Sequence, residues 1–474
     1  MSATATWVDR SVGQSVYRSA TSDAALGIRT LLLLALLFVP DIVSGHTLGL
    51  HIAWSQGLTL PNFIVPTLAV PALAYAWWSG RKLFPERWPG LAIGMVALLA
   101  WSLLTLAPAW VSAGDVTLTR VGALSILAHA AKLGLFILLG VALAGGGEAW
   151  RRRAGKLLLV AIAVNAVLGL AQAARLVLAL SPLARGPMPR ATGLFYDANF
   201  YAVTCAWALL WLLCQPTPRG GRRWAAYALV LAIAGNVVAA DSRAGYAALA
   251  IGMLLLWWAG HRRATVRAAV LLLAILLLFP ARSWQRVRSA AATLTEAGQS
   301  GPVRAPSTDA STRDRLESMQ EALRQIARHP LLGLGYGRAL YLGVPAIGGD
   351  GPVEPARPFR GAQNMFLTVW ASTGPVGLLL LLAAVAAPLR WLDRTRRHAA
   401  APVLAGYGGL LAACCTQEAL WNARLLALAI MLTAAAGIGW SRHAGAGLGL
   451  PRPPARPSVK RVAWRSHASA RQRT

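Results

Sequence analysis

The sequence predicts an all-α polytopic membrane protein with about twelve transmembrane helices. Composition is the first reason: of 474 residues, 56% are hydrophobic and 13% charged, about half the charged share of a soluble domain. The second is patterning, since apolar runs of about 20 residues, enough to cross a hydrocarbon core, recur between short basic interruptions. The third is that the basic residues fall in every second loop.

Taken in order, the apolar stretches are 27–43, 61–78, 90–108, 121–144, 157–180, 200–213, 224–240, 244–258, 268–280, 365–382, 402–415 and 419–440. The first follows a long polar segment and lacks a small-residue cleavage site, so it is expected to be retained and not to serve as a signal peptide. RKLFPER (81–87), RRRAGK (151–156), RGGRR (219–223), HRRATVR (261–267), RWLDRTRRH (390–398) and the tail after Ser441 alternate with loops poorer in Lys and Arg. By the positive-inside rule these segments are cytoplasmic, as are both termini. The net charge of +29 therefore belongs to loops at a membrane surface, and no nucleic-acid partner is expected. Trp77, Trp78, Trp88, Trp224, Trp257, Trp258, Trp391 and Trp440 lie near span ends, where indole meets both headgroups and lipid. Cys205, Cys214, Cys414 and Cys415 all sit inside apolar runs and give neither disulfide nor metal spacing.

The chain reads as one integral-membrane domain, 1–474, with a basic cytoplasmic tail over 441–474 and one long outward segment, 281–363, between the ninth and tenth spans. Residues 297–312 of this segment are rich in Gly, Pro, Ser and Thr, whereas 313–338 are helix-like: Leu316, Met319, Leu323 and Ile326 recur at helical spacing, Pro330 ends the pattern, and GLGYG turns the chain. Residues 280–363 carry eleven Arg and no Lys. Long loops escape the positive-inside rule, so a solvated basic surface competes with an anion site built from guanidinium forks.

Three outward features gather at the same mouth. RGPMPRATGLFYDANF (185–200) sets Arg185 and Arg190 before the sixth span and Asp197 and Asn199 at its start; its plain reading is a capped helix with an interfacial Arg. ADSRAGY (240–246) is a tight turn presenting Ser242 and Arg243, where the plain reading is an Arg snorkelling to headgroups. STRDRLESM (311–319), with Arg313 and Arg315, precedes the opening of the tenth span, where Gln363 and Asn364 form a polar pair. Arg315 is read as starting a helix, where the macrodipole disfavours a cation unless an anion or exposure offsets it. Arg338 closes the helix-like segment. Within a span, His129 and Lys132 are ionisable; a structural pairing of Lys132 with Asp41, Asp115 or Asp241 outweighs a functional role.

No P-loop, dinucleotide fingerprint, HExxH or paired CxxC motif occurs. A reaction on the outer face therefore needs a donor that is already activated, such as an isoprenoid-diphosphate sugar.

These segments resemble the O-antigen ligase and polymerase superfamily of bacterial envelope glycosyltransferases. RATGLFYDANFYA is similar to its Arg-Gly-Phe-Asn segment before a span, AADSRAGYAAL to its Ser-Arg turn, RLESMQEALRQIARHPLLGLGYG to its Arg-led helix with a His-Pro-Leu-Leu-Gly turn, and AQNMFLTVWASTGPVGLLLL to its His-Asn helix start and Gly-x-x-Gly span. The resemblance implies a periplasmic loop roofing a cavity, an undecaprenyl-diphosphate-linked glycan donor, a sugar-hydroxyl acceptor, an inner-membrane location and no metal or other cofactor. Arg190, Arg243 and Arg315 fall on matching arginines that grip and stabilise the departing diphosphate. Asn199, Ser242, Arg313, Arg338 and Asn364 are the implied substrate contacts. The departure is Gln363, where family ligases carry a His near neutral pKa; Gln positions a hydroxyl but takes no proton.

A polymerase joining lipid-linked repeat units is preferred over its sister reaction, ligation of finished glycan to lipid A core. Protein O-glycosylation lacks a recognisable acceptor groove. A flippase is the alternative of another class, but it should carry polar residues through the midplane and in repeated halves. A catalytically inactive family member that only binds or regulates is a further alternative, and Gln363 is its best argument.

Overall fold

The computed structural model describes residues 24–39, 60–79, 83–111, 120–177, 190–195, 197–278, 310–336, 362–392, 397–417 and 419–437. Among them the regular structure is entirely helical. The principal helices are α1 (Ala24–Phe38), α2 (Leu60–Trp78), α3 (Gly90–Val111), α4 (Arg120–Ala144), α5 (Glu148–Ala173), α6 (Ala198–Leu213), α7 (Arg222–Ala239), α8 (Arg243–Trp258), α9 (Arg262–Leu278), α10 (Ala310–Arg328), α11 (Met365–Ala386), α12 (Arg397–Cys414) and α13 (Ala423–Gly437).

Each expected apolar stretch overlaps one of these helices, with 40–43, 178–180, 279–280 and 438–440 lying outside the described residues. Among the described residues, three segments are long and apolar enough to cross a membrane: Leu127–Ala144, Glu148–Ala173 and Met365–Arg390. Most of the outward segment, the tail over 441–474, and Asp41, Asp115, Arg185 and Arg338 lie outside the described residues.

α8 packs between α6 and α12, α4 against α13, and α3 against α11. Small residues set these approaches, because in an apolar solvent helix association depends on close backbone contact more than on hydrophobic exclusion. A Cβ on Gly409 of α12 would sit 2.6 Å from the Ala248 carbonyl oxygen of α8, and one on Gly140 of α4 would sit 2.9 Å from that of Ala427 on α13. Outside, Val70, Leu104, Val167 and Leu273 are exposed, as lipid-facing residues would be, and Trp77, Trp78, Trp224, Trp257 and Trp258 are exposed at helix ends.

α10 rests on α11. Its buried residues are Ala322, Gln325 and Ile326, whereas Leu323 is 52% exposed. The expected stripe holds at Ile326, with Leu316 and Met319 partly buried, and departs only at Leu323, whose place is taken by Ala322: Ala322 lets the helix lie close to α11, and Ala322 and Ile326 share a small core with Leu334, Ala362 and Ala371. Another expectation is corrected here. α10 begins at Ala310, so Arg315 lies beyond its first turn, clear of the helix end where the dipole penalty acts.

α11 is broken. Gly374 has φ 70° and ψ −174° inside it, followed by Pro375. Proline has no N–H for the Ala371 carbonyl, and the break releases that of Ser372. The turn after α10 supplies the missing donors: Leu334 N–H reaches Ala371 O at 2.8 Å and Gly335 N–H reaches Ser372 O at 2.9 Å. Trp101 of α3 donates to Thr373 O at 2.8 Å. The LLGLG turn is thereby fastened to the middle of α11, which fixes α10 beside the end of the bundle where the polar residues collect.

Candidate functional site

The segment before α6 is held from below by two amides of α5. Buried Gln172 accepts from Thr192 N–H (2.8 Å), Gly193 N–H (2.8 Å) and the Thr192 hydroxyl (3.2 Å), and donates to Gly193 O at 3.1 Å. Asn165 accepts from Leu194 N–H at 2.9 Å. Gly193 has φ +54°, and any Cβ there would press on Tyr201 and Asn165; the Gly in RATG is needed on both counts.

Arg190 then closes the end of α7. Its Nε donates to Ala240 O at 2.9 Å and Nη2 to Asp241 O at 3.0 Å, while Ala191 N–H takes Ala239 O at 3.1 Å. These are carbonyls a helix C-terminus leaves without intrahelical partners, and a cation there also complements the dipole. Asp241 sits at φ 48°, which turns its carbonyl toward the guanidinium, and α8 starts two residues later. Ser242 caps α8, accepting from Gly245 N–H at 3.2 Å, and places Arg243 as the first helical residue.

Asn199 joins the two segments. Its Oδ1 accepts from Arg190 Nη2 at 3.2 Å and from the Ser242 hydroxyl at 2.7 Å. Asp197 caps α6 through Oδ1, which accepts from Asn199 N–H at 2.6 Å. Burial pushes the Asp197 carboxyl above its ordinary range, against the pull of the Asn199 amide and of the Arg190 and Arg315 guanidiniums.

Arg315 and Gln363 come from the other half of the chain. Arg315 Nε donates to Gln363 Oε1 at 3.0 Å. Gln363 has φ 48°, between Ala362, whose N–H donates to Thr368 Oγ1 at 2.9 Å, and Asn364, which caps α11 by accepting from Phe366 and Leu367 N–H and donates to Cys415 O at 2.9 Å.

The expected residues thus form two groups meeting at Asp197. Arg190, Asn199, Ser242 and the adjoining Arg243 make one, and Arg315, Gln363 and Asn364 make the other. Arg313 lies on α10, and Arg338 lies outside the described residues. His129 and Lys132 lie on α4, away from this constellation in sequence; the His129 ring comes within 6.3 Å of the Tyr336 ring, at the end of the docked turn. Sequence reasoning passed over Gln172 and Asn165, whose signal was available: two amides seven residues apart in an apolar span share a helix face. It also passed over Arg424, buried at the start of α13, which donates to Val39 O and stacks 5.2 Å from the Phe195 ring. Among the described residues no three His, Cys, Asp or Glu side chains come together.

Apolar helices of spanning length define the class: a helical membrane protein, with arginines and polar side chains gathered where α6, α8 and α11 begin. Residues 227–382, from α7 into α11, match the family model described as O-antigen ligase. That match supports the O-antigen ligase/polymerase superfamily, and it contains Arg243, Arg315 and Gln363, while Arg190 and Asn199 lie before it. No curated protein matches the chain.

Proposed function

We propose that the chain is a bacterial envelope glycosyltransferase that uses an undecaprenyl-diphosphate-linked glycan at the periplasmic face of the inner membrane, and that it polymerises repeat units. The observation that supports the reading is that Arg190 and Arg315, from separated segments, both act on Asp197, while Arg243 opens α8 directly after Ser242, which is bonded to the same Asn199 as Arg190. Guanidiniums fixed before the reaction stabilise charge as it develops on a leaving diphosphate, often the largest catalytic contribution. The acceptor oxygen attacks the anomeric carbon, the bond from that carbon to the diphosphate oxygen breaks, and its electron pair leaves with the phosphate. Gln363, oriented by Arg315, positions the acceptor hydroxyl.

An apolar cavity beside the loop favours a lipid-linked donor. It is lined by Leu158, Ile162, Trp207, Ile233 and Leu428, with Phe195 and Arg424 also on its wall, and suits part of an isoprenoid chain. Ligation to lipid A core is the second reading, since the matched family is described as O-antigen ligase. The lipid-linked intermediates of a deletion strain separate the readings. Single unpolymerised repeats are expected; long lipid-linked chains would identify a ligase, and repeats trapped on the cytoplasmic face a flippase.

A further inference from the structure

Glycosyl transfer requires a group to receive the acceptor's proton, and Gln363 cannot. We propose that Asp197 is that group: its carboxylate is the general base of the transfer. The inference rests on the glycosyltransferase reading above.

Asp197 stands where the two halves of the site meet. Its cap ties it to Asn199, whose side chain holds Arg190 and Ser242, and its carboxyl feels both Arg190 and Arg315. The residue is half-buried at the α6 start, between the Arg190–Asn199–Ser242 group and the Arg315–Gln363 pair. Other described carboxylates nearby in the chain are placed less well. Glu321 is bound to Arg324 at 2.6 Å and to Gln325 at 2.6 Å, and Glu317 lies on the exposed side of α10. Asp241 offers its carbonyl to Arg190 from the turn behind Asn199.

Charged groups around Asp197 are Arg190 and Asp241 beside the α6 start, Arg243 on α8, Arg315 on α10, and Arg424 of α13 against Phe195. The arginines oppose the upward push of burial. A bound diphosphate would neutralise part of their charge, so donor binding raises the basicity of Asp197 when a base is needed. In the step itself, the hydroxyl proton passes to Asp197, and the freed electron pair forms the bond to the anomeric carbon. The bond from that carbon to the diphosphate oxygen breaks with its pair on oxygen. The proton leaves to solvent after the diphosphate departs.

The bland role for Asp197 is the helix cap alone, and the two are separable because Asn caps as well as Asp. Asp197→Asn should therefore fold and bind lipid-diphosphate donor normally, with kcat reduced about 10²- to 10⁴-fold. Wild-type kcat should fall on acidification through an inflection above the ordinary Asp value of about 4, and that inflection should vanish in Asp197→Asn. Adding Gln363→His to Asp197→Asn should restore turnover with an inflection about pH 6.5, where imidazole titrates. Undiminished kcat in Asp197→Asn would overturn the assignment, as would a loss confined to donor KM with the pH profile intact. A wild-type protein that binds no lipid-diphosphate removes the transfer reading itself, and this assignment with it.

Discussion

At Gln363 the backbone and the side chain make separate demands. The backbone is left-handed, at φ 48°, a region open to Asn and His but costly for β-branched residues; the side chain accepts from Arg315. Gln363→Val should therefore lose about 1–3 kcal/mol to strain as well as the Arg315 contact, and show a lowered melting temperature, while Gln363→His should melt as wild type does. Arg190 is likewise double-purposed, because Nε and Nη2 hold the end of α7 and Asn199. Arg190→Lys keeps the charge but cannot reproduce that fork, so it should lower both transfer and melting temperature. The sequence marked Arg190 as an anion ligand, but its grip on the Ala240 and Asp241 carbonyls depends on the left-handed turn at Asp241, which no periodicity displays.

Among elements, α11 and α10 show most plainly what was readable. The Gly-Pro pair at 374–375 announces a break to anyone weighing Pro in a span, but its partner, the LLGLG turn some forty residues earlier, is a tertiary fact. A Cβ on Gly374 would collide with the Leu331 carbonyl, so Gly374→Ala should undock the turn. The measurement is limited proteolysis of the 310–336 segment, expected to quicken sharply, with transfer lost because Arg315 is no longer held beside Gln363. A similar argument applies to α5. Gln172→Leu leaves the Thr192 and Gly193 amides buried without an acceptor, at about 1–3 kcal/mol each, readable as a fall in melting temperature. The helix-like pattern of α10 was legible and holds at Ile326; only at Leu323 does it fail, because close packing on α11 favours the small Ala322.

Across the whole molecule, the apolar rhythm sufficed to place a helix within each expected stretch among the described residues, since hydrophobic runs dictate local structure in lipid. Which ends converge could not be read the same way, because bringing α6 to α8 and α10 to α11 relies on non-local glycine contacts, Gly245 on Ala202 and Gly374 on Leu331. The charge alternation gives a sidedness that can be measured. With Cys205, Cys214, Cys414 and Cys415 replaced by Ala, an impermeant maleimide applied from the periplasm should label Glu317→Cys and spare Arg263→Cys, at the other end of the bundle; the reverse pattern would turn the site to the cytoplasm. The central claim is that arginines from three segments act together on a lipid diphosphate. It is tested most directly by transfer with purified protein and a lipid-diphosphate glycan. Arg190→Ala, Arg243→Ala and Arg315→Ala should each abolish product while the protein remains folded, and full product formation after all three changes would contradict the account.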